Sequence, residues 1–467
     1  MNEQQKTPAE KLAEQLLLKN KNGWFRVSPE EEAEIFRFAE GYRAFLDASK
    51  TEREAVKSTL AAAEAKGFVP FSPSARPKAG DKVYVNNRGK AVLLAKIGRR
   101  PVSEGVRIVA AHIDSPRLDF KPNPLYEDSE LAYIKTHYYG GIKKYQWPTV
   151  PLALHGVVVR GDGSMVEIRI GEDPGDPQFV VNDLLPHLAT EQVKRPMNEA
   201  IAGEDLNILV GSRPFADDKA SEAVKLHIMK LLNEKYGIVE GDFISAELEA
   251  VPACHAVDIG FDRSMVGGYG HDDRVCAYPA FMSLLESGTP EYTAVCVLAD
   301  KEEIGSEGNT GLQSSYLKDF IYALGRLNGV DGYDVLSRSM CLSADVNAGF
   351  DPNFPSVYEK RNSCLVNYGV VITKYTGSRG KSGTSDASAE YMGYIRRLLN
   401  SAGVVWQTGS LGAVDKGGGG TVAMYIANMN VDTVDLGVPV LSMHAPFETI
   451  SKLDLYMAYR AFCEFIK

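Results

Sequence analysis

Apolar and polar positions recur along this chain with two different periods, and the places where the period changes divide it. Residues 8–67 read as helical. Ile35, Phe36, Ala39, Tyr42, Phe45 and Leu46 follow helical spacing behind Ser28-Pro-Glu-Glu31, a capping-box start with proline in the first turn. A second helix is expected from about Thr51 to Ala65, stopped by Gly67. Lys82 to Ala95 then reads as a hairpin turning near Asn87 to Gly89. Val106 to Ala111 is apolar at every residue but Arg107, the mark of a strand buried on both faces, and it leads to His112 and Asp114.

From about residue 119 to 250 glycine, proline and period-two alternation dominate, as in Leu152–Arg160, the Gly161-Asp-Gly163 turn and Met165–Ile170. This stretch is expected to be a β-rich insertion between residues 1–118 and 251–467. Within it, Lys219 to Glu234 fits either an amphipathic helix or a mobile linker. Beyond about residue 252 strands and helices alternate again. Gly270-His-Asp-Asp-Arg274 opens a helix running towards Leu285. Val297 to Ala299 is strand-like and leads to Glu302-Glu303 and Gly305. Met340 to Val346 is an apolar strand ending in Asp345, and Val438 to His444 ends a strand on histidine. Gly380–Asp386 leads into a helix through Leu399, and Ser451 to Ile466 closes the chain as a helix. Asp415-Lys-Gly-Gly-Gly-Gly-Thr421 lacks phosphate-loop spacing and fits equally a close backbone approach to a ligand or a flexible turn.

The alternation predicts an α/β fold, and in such folds active sites gather at the carboxyl ends of the strands. Here those ends carry His112, Asp114, Asp272, Glu302, Glu303, Asp345 and His444. Each has a plainer explanation taken alone: a satisfied core histidine, a helix cap at Asp272, an acidic turn at Glu302-Glu303. Together they form a mixed nitrogen and oxygen donor set suited to a pair of divalent ions, with zinc, manganese and cobalt all compatible. His112 and Asp114 share one face of an extended segment, so Asp114 can hold the second ring nitrogen of a metal-bound His112. The matching chemistry is hydrolysis, with a non-ligand carboxylate moving the proton. There is no Gly-x-Ser-x-Gly elbow and no cysteine nucleophile signature.

Composition narrows the classes further. The 467 residues suffice for roughly three domains. A net charge of −10 without a long basic run argues against nucleic acid or anionic membrane as partner. No apolar run approaches the ~18 residues of a membrane span. The start Met1-Asn-Glu-Gln-Gln-Lys-Thr7 lacks the apolar core of a signal peptide. The cysteines at 254, 276, 296, 341, 364 and 463 include no close pair, as expected of reduced core residues in a cytoplasmic protein.

The set Ala111-His-Ile-Asp-Ser-Pro-Arg-Leu118, Asp300-Lys-Glu-Glu-Ile-Gly-Ser306, Ser343-Ala-Asp345, Lys381-Ser-Gly-Thr-Ser-Asp-Ala-Ser388 and Ser442-Met-His444 resembles the aspartyl aminopeptidase family of metallopeptidases, which includes the vacuolar aminopeptidase. The likeness runs in order along nearly the whole chain. It implies a zinc-peptidase-like α/β catalytic domain with a mixed sheet flanked by helices, interrupted by a β-rich dimerisation domain. It further implies a tetrahedral homododecamer releasing N-terminal residues from peptides with two divalent ions, zinc first. By that resemblance His112 and Asp345 bind one ion, Glu303 and His444 the other, and Asp272 bridges them. Glu302 is the general base and acid, and Asp114 orients His112. His187, in Leu185-Pro-His187, reaches into a neighbour's active site.

The chain also departs from the eukaryotic pattern. Ala348 and Asp351 stand where aspartyl aminopeptidases carry histidines, and Asp273 stands where they carry asparagine. Asp351 weakens the case for a cationic pocket that takes an acidic first residue, while Lys374 is a candidate to supply the positive charge. The expectations are therefore an aminopeptidase preferring acidic N-termini, a broad or neutral/basic-preferring one, or an assembly or cargo protein of low activity.

Overall fold

The computed structural model describes residues 6–217 and 219–467; the first five residues, on which part of the reading of the N-terminus rests, lie outside it. At its centre is a nine-stranded mixed sheet. Its strands run in the order Val69–Pro70, Lys82–Asn87, Ala91–Lys96, Thr293–Ala299, Val106–His112, Met340–Ser343, Asp432–Gly437, Val370–Thr373, Trp406–Thr408. Four neighbours in the middle, Thr293–Ala299, Val106–His112, Met340–Ser343 and Asp432–Gly437, are mutually parallel.

Their mostly apolar character follows from burial on both faces. Val109, Ala111, Cys296 and Leu298 pack on one side with the helices Pro29–Asp47, Glu52–Ala65, His271–Glu286, Ala389–Ser401 and Lys452–Ile466. Ile108, Ala110, Val295 and Val297 pack on the other side with Tyr316–Leu327, Gly332–Ser337 and Ala423–Ala427. The helical starts behave as their sequences predict. Ser28 accepts the Glu31 N–H, and Thr51 and Glu54 cap each other reciprocally. The expectation of helix throughout 8–67 needs one correction: Pro8–Leu16 is helical, but residues 17–22 are not. No helix among the described residues is long and apolar enough to cross a membrane.

Residues 117–252 supply a separate seven-stranded antiparallel sheet. Its order is Met165–Ile170, Leu152–Val159, Ala246–Pro252, Arg117–Asp128, Leu131–Tyr139, Ile208–Gly211, Val180–Val181. It has a core of its own, with Leu118, Trp147, Leu152, Leu206 and Leu248 buried together. The choice between helix and linker after Lys219 falls to a helix, Ala223–Tyr236, which lays Val224, Ile228 and Leu232 on this core. Its first turn has no cap of its own; Glu127 accepts the N–H groups of Val224 and Lys225 at 3.0 and 2.9 Å.

Buried charges join this sheet to the rest of the chain. The Arg117 guanidinium lies 3.4 Å from Glu52, 3.2 Å from Glu249 and 2.8 Å from Asp119, and it stacks on the Tyr139 ring. Next to it His155 lies between Glu54 at 2.8 Å and Glu172 at 3.3 Å. Such groups stay buried only because each has an opposite charge beside it.

A third, five-stranded sheet matters most for position. Its order is Val257–Ile259, Met265–Gly268, Glu448–Ser451, Pro439–Leu441, Asn347–Ala348. Met265–Gly268 leads into Asp272, Pro439–Leu441 leads to His444, and Asn347–Ala348 follows Asp345. His444 thus arrives from this small sheet rather than from a strand of the central one. The backbone passes tightly here: a side chain at Gly437 would sit 1.8 Å from the Asp345 carbonyl, so only glycine fits.

Candidate metal centre

The parallel strands and the small sheet deliver their ends to one place. Asp272 does not cap its helix. Gly270 holds the cap position, Asp272 has non-helical angles, and the Asp272–Asp273 peptide is cis. The Asp272 carboxylate instead faces two histidines. Its Oδ1 is 3.1 Å from His112 Nε2 and its Oδ2 is 3.1 Å from His444 Nε2. Glu303 Oε1 lies 3.4 Å from the same His444 nitrogen, and Glu302 Oε2 lies 3.8 Å from His112 Nε2. His112, Asp273 and Asp345 form a further group whose donor atoms lie within 4.8 Å of one another.

Both imidazoles are turned by their other nitrogen. His112 Nδ1 is 3.3 Å from Asp114 Oδ1 and 3.1 Å from the Asp114 carbonyl. His444 Nδ1 is 2.8 Å from the Gly141 carbonyl. A ring that donates through Nδ1 keeps the lone pair on Nε2, the nitrogen a metal needs. Asp114 does more than face one ring. It also accepts the N–H groups of Glu302 and Glu303, both at 3.1 Å, and so fixes the turn that presents the two glutamates.

Buried acids and imidazoles crowd together here. Burial pushes Glu303 and Asp345 far above the carboxylate range, with the nearby charges of Asp272 and Asp273 respectively adding to it. Burial also raises Glu302, to about 7; His112 opposes this, and Asp114 and Asp272 reinforce it. For Asp272 burial acts upward, but the His112 and His444 hydrogen bonds outweigh it and hold the carboxyl below its usual range. His444 is driven up to about 10, because its Asp272 contact and the Glu303 charge overcome burial. Glu303 Oε1, Asp345 Oδ2 and Asp273 Oδ1 are buried without a hydrogen-bond partner among the described residues. Orphaned carboxylate oxygens next to two imidazole nitrogens are the mixed donor set a divalent ion of the zinc type takes.

The structure thus brings together His112, Asp114, Asp272, Glu302, Glu303, Asp345 and His444, all expected from the sequence. It leaves three others apart. His187 is exposed on the inserted sheet's loop, and its side chain makes no hydrogen bond among the described residues. Lys374 is exposed and paired to Asp386 at 2.6 Å. Asp351 accepts the Asn353 N–H at 2.9 Å within a turn. Two further residues belong to the site. Asp273, beside Asp272 at the helix start and a departure from asparagine, joins the His112 group and accepts the His112 N–H at 3.3 Å. Glu448, fully buried, accepts the N–H of Asp272 at 3.1 Å and of His444 at 2.7 Å, tying two separate segments together. Its only sequence signal is an acid opening a strand, too common to single out.

A mixed α/β fold carrying this cluster at its strand ends defines a metallopeptidase of the zinc-peptidase type. Residues 45–466 match the family of aminopeptidase I zinc metalloproteases, M18, and the chain belongs to that family. It is 49% identical over 461 residues to a probable M18 family aminopeptidase 1 of Clostridium acetobutylicum, covering 97% of this chain and 99% of that relative. The crystal structure of an M18 aminopeptidase from Thermotoga maritima shares the fold with a TM-score of 0.93 at 43% identity, covering 96% of this chain and 99% of that one. The Saccharomyces cerevisiae mApe1 dodecamer also shares the fold, with a TM-score of 0.74 at 21% identity, covering 91% of this chain and 95% of that one.

Proposed function

We propose that this M18 aminopeptidase works with two divalent ions, zinc first, and that one observation carries this reading: the two oxygens of a single carboxylate, Asp272, face the Nε2 atoms of two different histidines. His112 and Asp345 would hold one ion, Glu303 and His444 the other, with Asp272 shared between them. Ions bound there acidify a water and polarise a peptide carbonyl. Glu302, beside the ligands and partly open to solvent, takes the proton of the attacking water and delivers it to the leaving amine. Asp114 keeps the glutamate turn and His112 in place meanwhile. The free cysteines, all unpaired, support a reducing cytoplasmic location.

For the first residue of the substrate, the pairings favour the broader specificity. The cation that an acidic side chain would need, Lys374, stands apart from the cluster and is already engaged by Asp386. Hydrolysis of Asp-, Glu-, Leu- and Arg-reporters with added zinc, manganese or cobalt tests this. Leu or Arg should be released fastest; a tenfold or greater preference for Asp or Glu would restore the acidic pocket.

The oligomer is proposed as a tetrahedral dodecamer in which residues 119–250 serve dimerisation and His187 completes a neighbour's site. Around His187 the loop exposes Leu184, Leu185, Leu188, Val193 and Met197, an apolar surface that fits burial against another copy. His187→Ala should leave the assembly and its metals intact while turnover falls by ~10²-fold, the scale of losing one donor to a developing oxyanion. Light scattering and kinetics on the same sample decide: a fully active monomer sinks the shared site, and an intact oligomer with unchanged turnover sinks the role of His187.

A further inference from the structure

Metal ligands are held by their surroundings, and here part of the surroundings comes from the inserted sheet of the same chain. The strand Leu131–Tyr139 ends against the start of its neighbour, with Tyr139 opposite Arg117. The Tyr139 hydroxyl donates to Asp114 Oδ2 at 2.8 Å. Asp114 is fully buried and spends its other acceptor positions on His112 and on the N–H groups of Glu302 and Glu303. Two residues further on, the Gly141 carbonyl accepts from His444 Nδ1 at 2.8 Å. Between them Gly140 lies flat on Glu303. A side chain there would come within 3.2 Å of Glu303 Oε2 and 3.3 Å of its Cβ, and φ is +74°. Three consecutive residues therefore touch the holder of His112, the ligand Glu303 and the ligand His444.

We propose that the Tyr139–Gly141 turn is a positioning element of the metal centre in its own subunit: Tyr139 locks Asp114, and through it His112 and the glutamate turn, while Gly141 fixes His444 with Nε2 towards the metal. This rests on the reading of the cluster as a metal centre. The inserted sheet then has a role within its own subunit, distinct from any contact it makes with another. The anchor of the turn is visible as well. The Tyr139 ring is clamped under Arg117, whose guanidinium is tied to Glu52 of the helix Glu52–Ala65 and to Glu249 of the last inserted strand. A phenyl ring preserves that clamp, so Tyr139→Phe removes only the hydroxyl.

The test is zinc affinity of the full-length protein, read by competition with a chelating dye, alongside the unfolding temperature of the zinc-free protein and the split between kcat and KM. Loss of such a supporting hydrogen bond typically costs about 10- to 100-fold in metal affinity. Tyr139→Phe should weaken zinc binding by that factor and lower kcat with KM nearly unchanged. Gly140→Ala, pressing on Glu303, should weaken it from the other end of the turn. A merely structural role would lower the unfolding temperature of the zinc-free protein and leave zinc affinity alone; that result in both variants overturns the inference. His112→Ala separates the two levels. If it loses zinc while Tyr139→Phe binds as wild type, the positioning role fails and the metal centre stands. If His112→Ala also binds zinc as wild type, the metal centre itself fails.

Discussion

Glu302→Gln lowers kcat by at least ~10²-fold while the protein keeps its fold and its metal content. The amide fills the same space, and the backbone N–H of residue 302 still bonds Asp114, so the turn is undisturbed. What disappears is the ability to take a proton. Glu302 is suited to that task because it is a carboxylate beside the ligands, with its Oε2 3.8 Å from His112 Nε2. The measurement pairs steady-state kinetics with metal content by plasma mass spectrometry. Near-normal turnover, with contaminating wild type excluded, ends the assignment.

Asp272→Asn is expected to act on both ions at once and to leave less activity than Glu302→Gln. Each Asp272 oxygen faces one histidine at 3.1 Å. An amide offers one oxygen and one NH2 group that cannot ligate, and it removes a negative charge from the middle of the site. Occupancy of both ions should fall on purification through a weak chelator. If two ions stay tightly bound, the bridge passes to Asp273, whose Oδ1 is buried without a partner beside His112 and Asp345, or the bridging role fails altogether.

Much of this centre was legible along the chain because its chemistry sits on strongly patterned elements. The run Val106–Ala111 is apolar at every residue but Arg107 because both faces of its strand are covered, and such strands expose side chains mainly at their ends. Period two then put His112 and Asp114 on one face, and the 3.3 Å contact between them is the local consequence. Capping at Ser28 and Thr51 was equally local, needing only neighbours three residues away.

Other features depended on segments far apart in sequence. The sequence by itself determined the α/β alternation, the β-rich interruption and the acids and histidines at element ends, because periodicity and capping are short-range physics. Whether Asp272 capped a helix or faced two histidines was open until the five-stranded sheet set Gly268 opposite Glu448 and brought the approach to His444 alongside. The helix Ala223–Tyr236 was ambiguous because the carboxylate that starts it, Glu127, lies about a hundred residues earlier. Glu448 and the Tyr139–Gly141 turn carried no local signal strong enough to single them out. Their hydrogen bonds are paid for by burial of the whole cluster, and which donor meets which acceptor there is decided only when the tertiary fold excludes water from it.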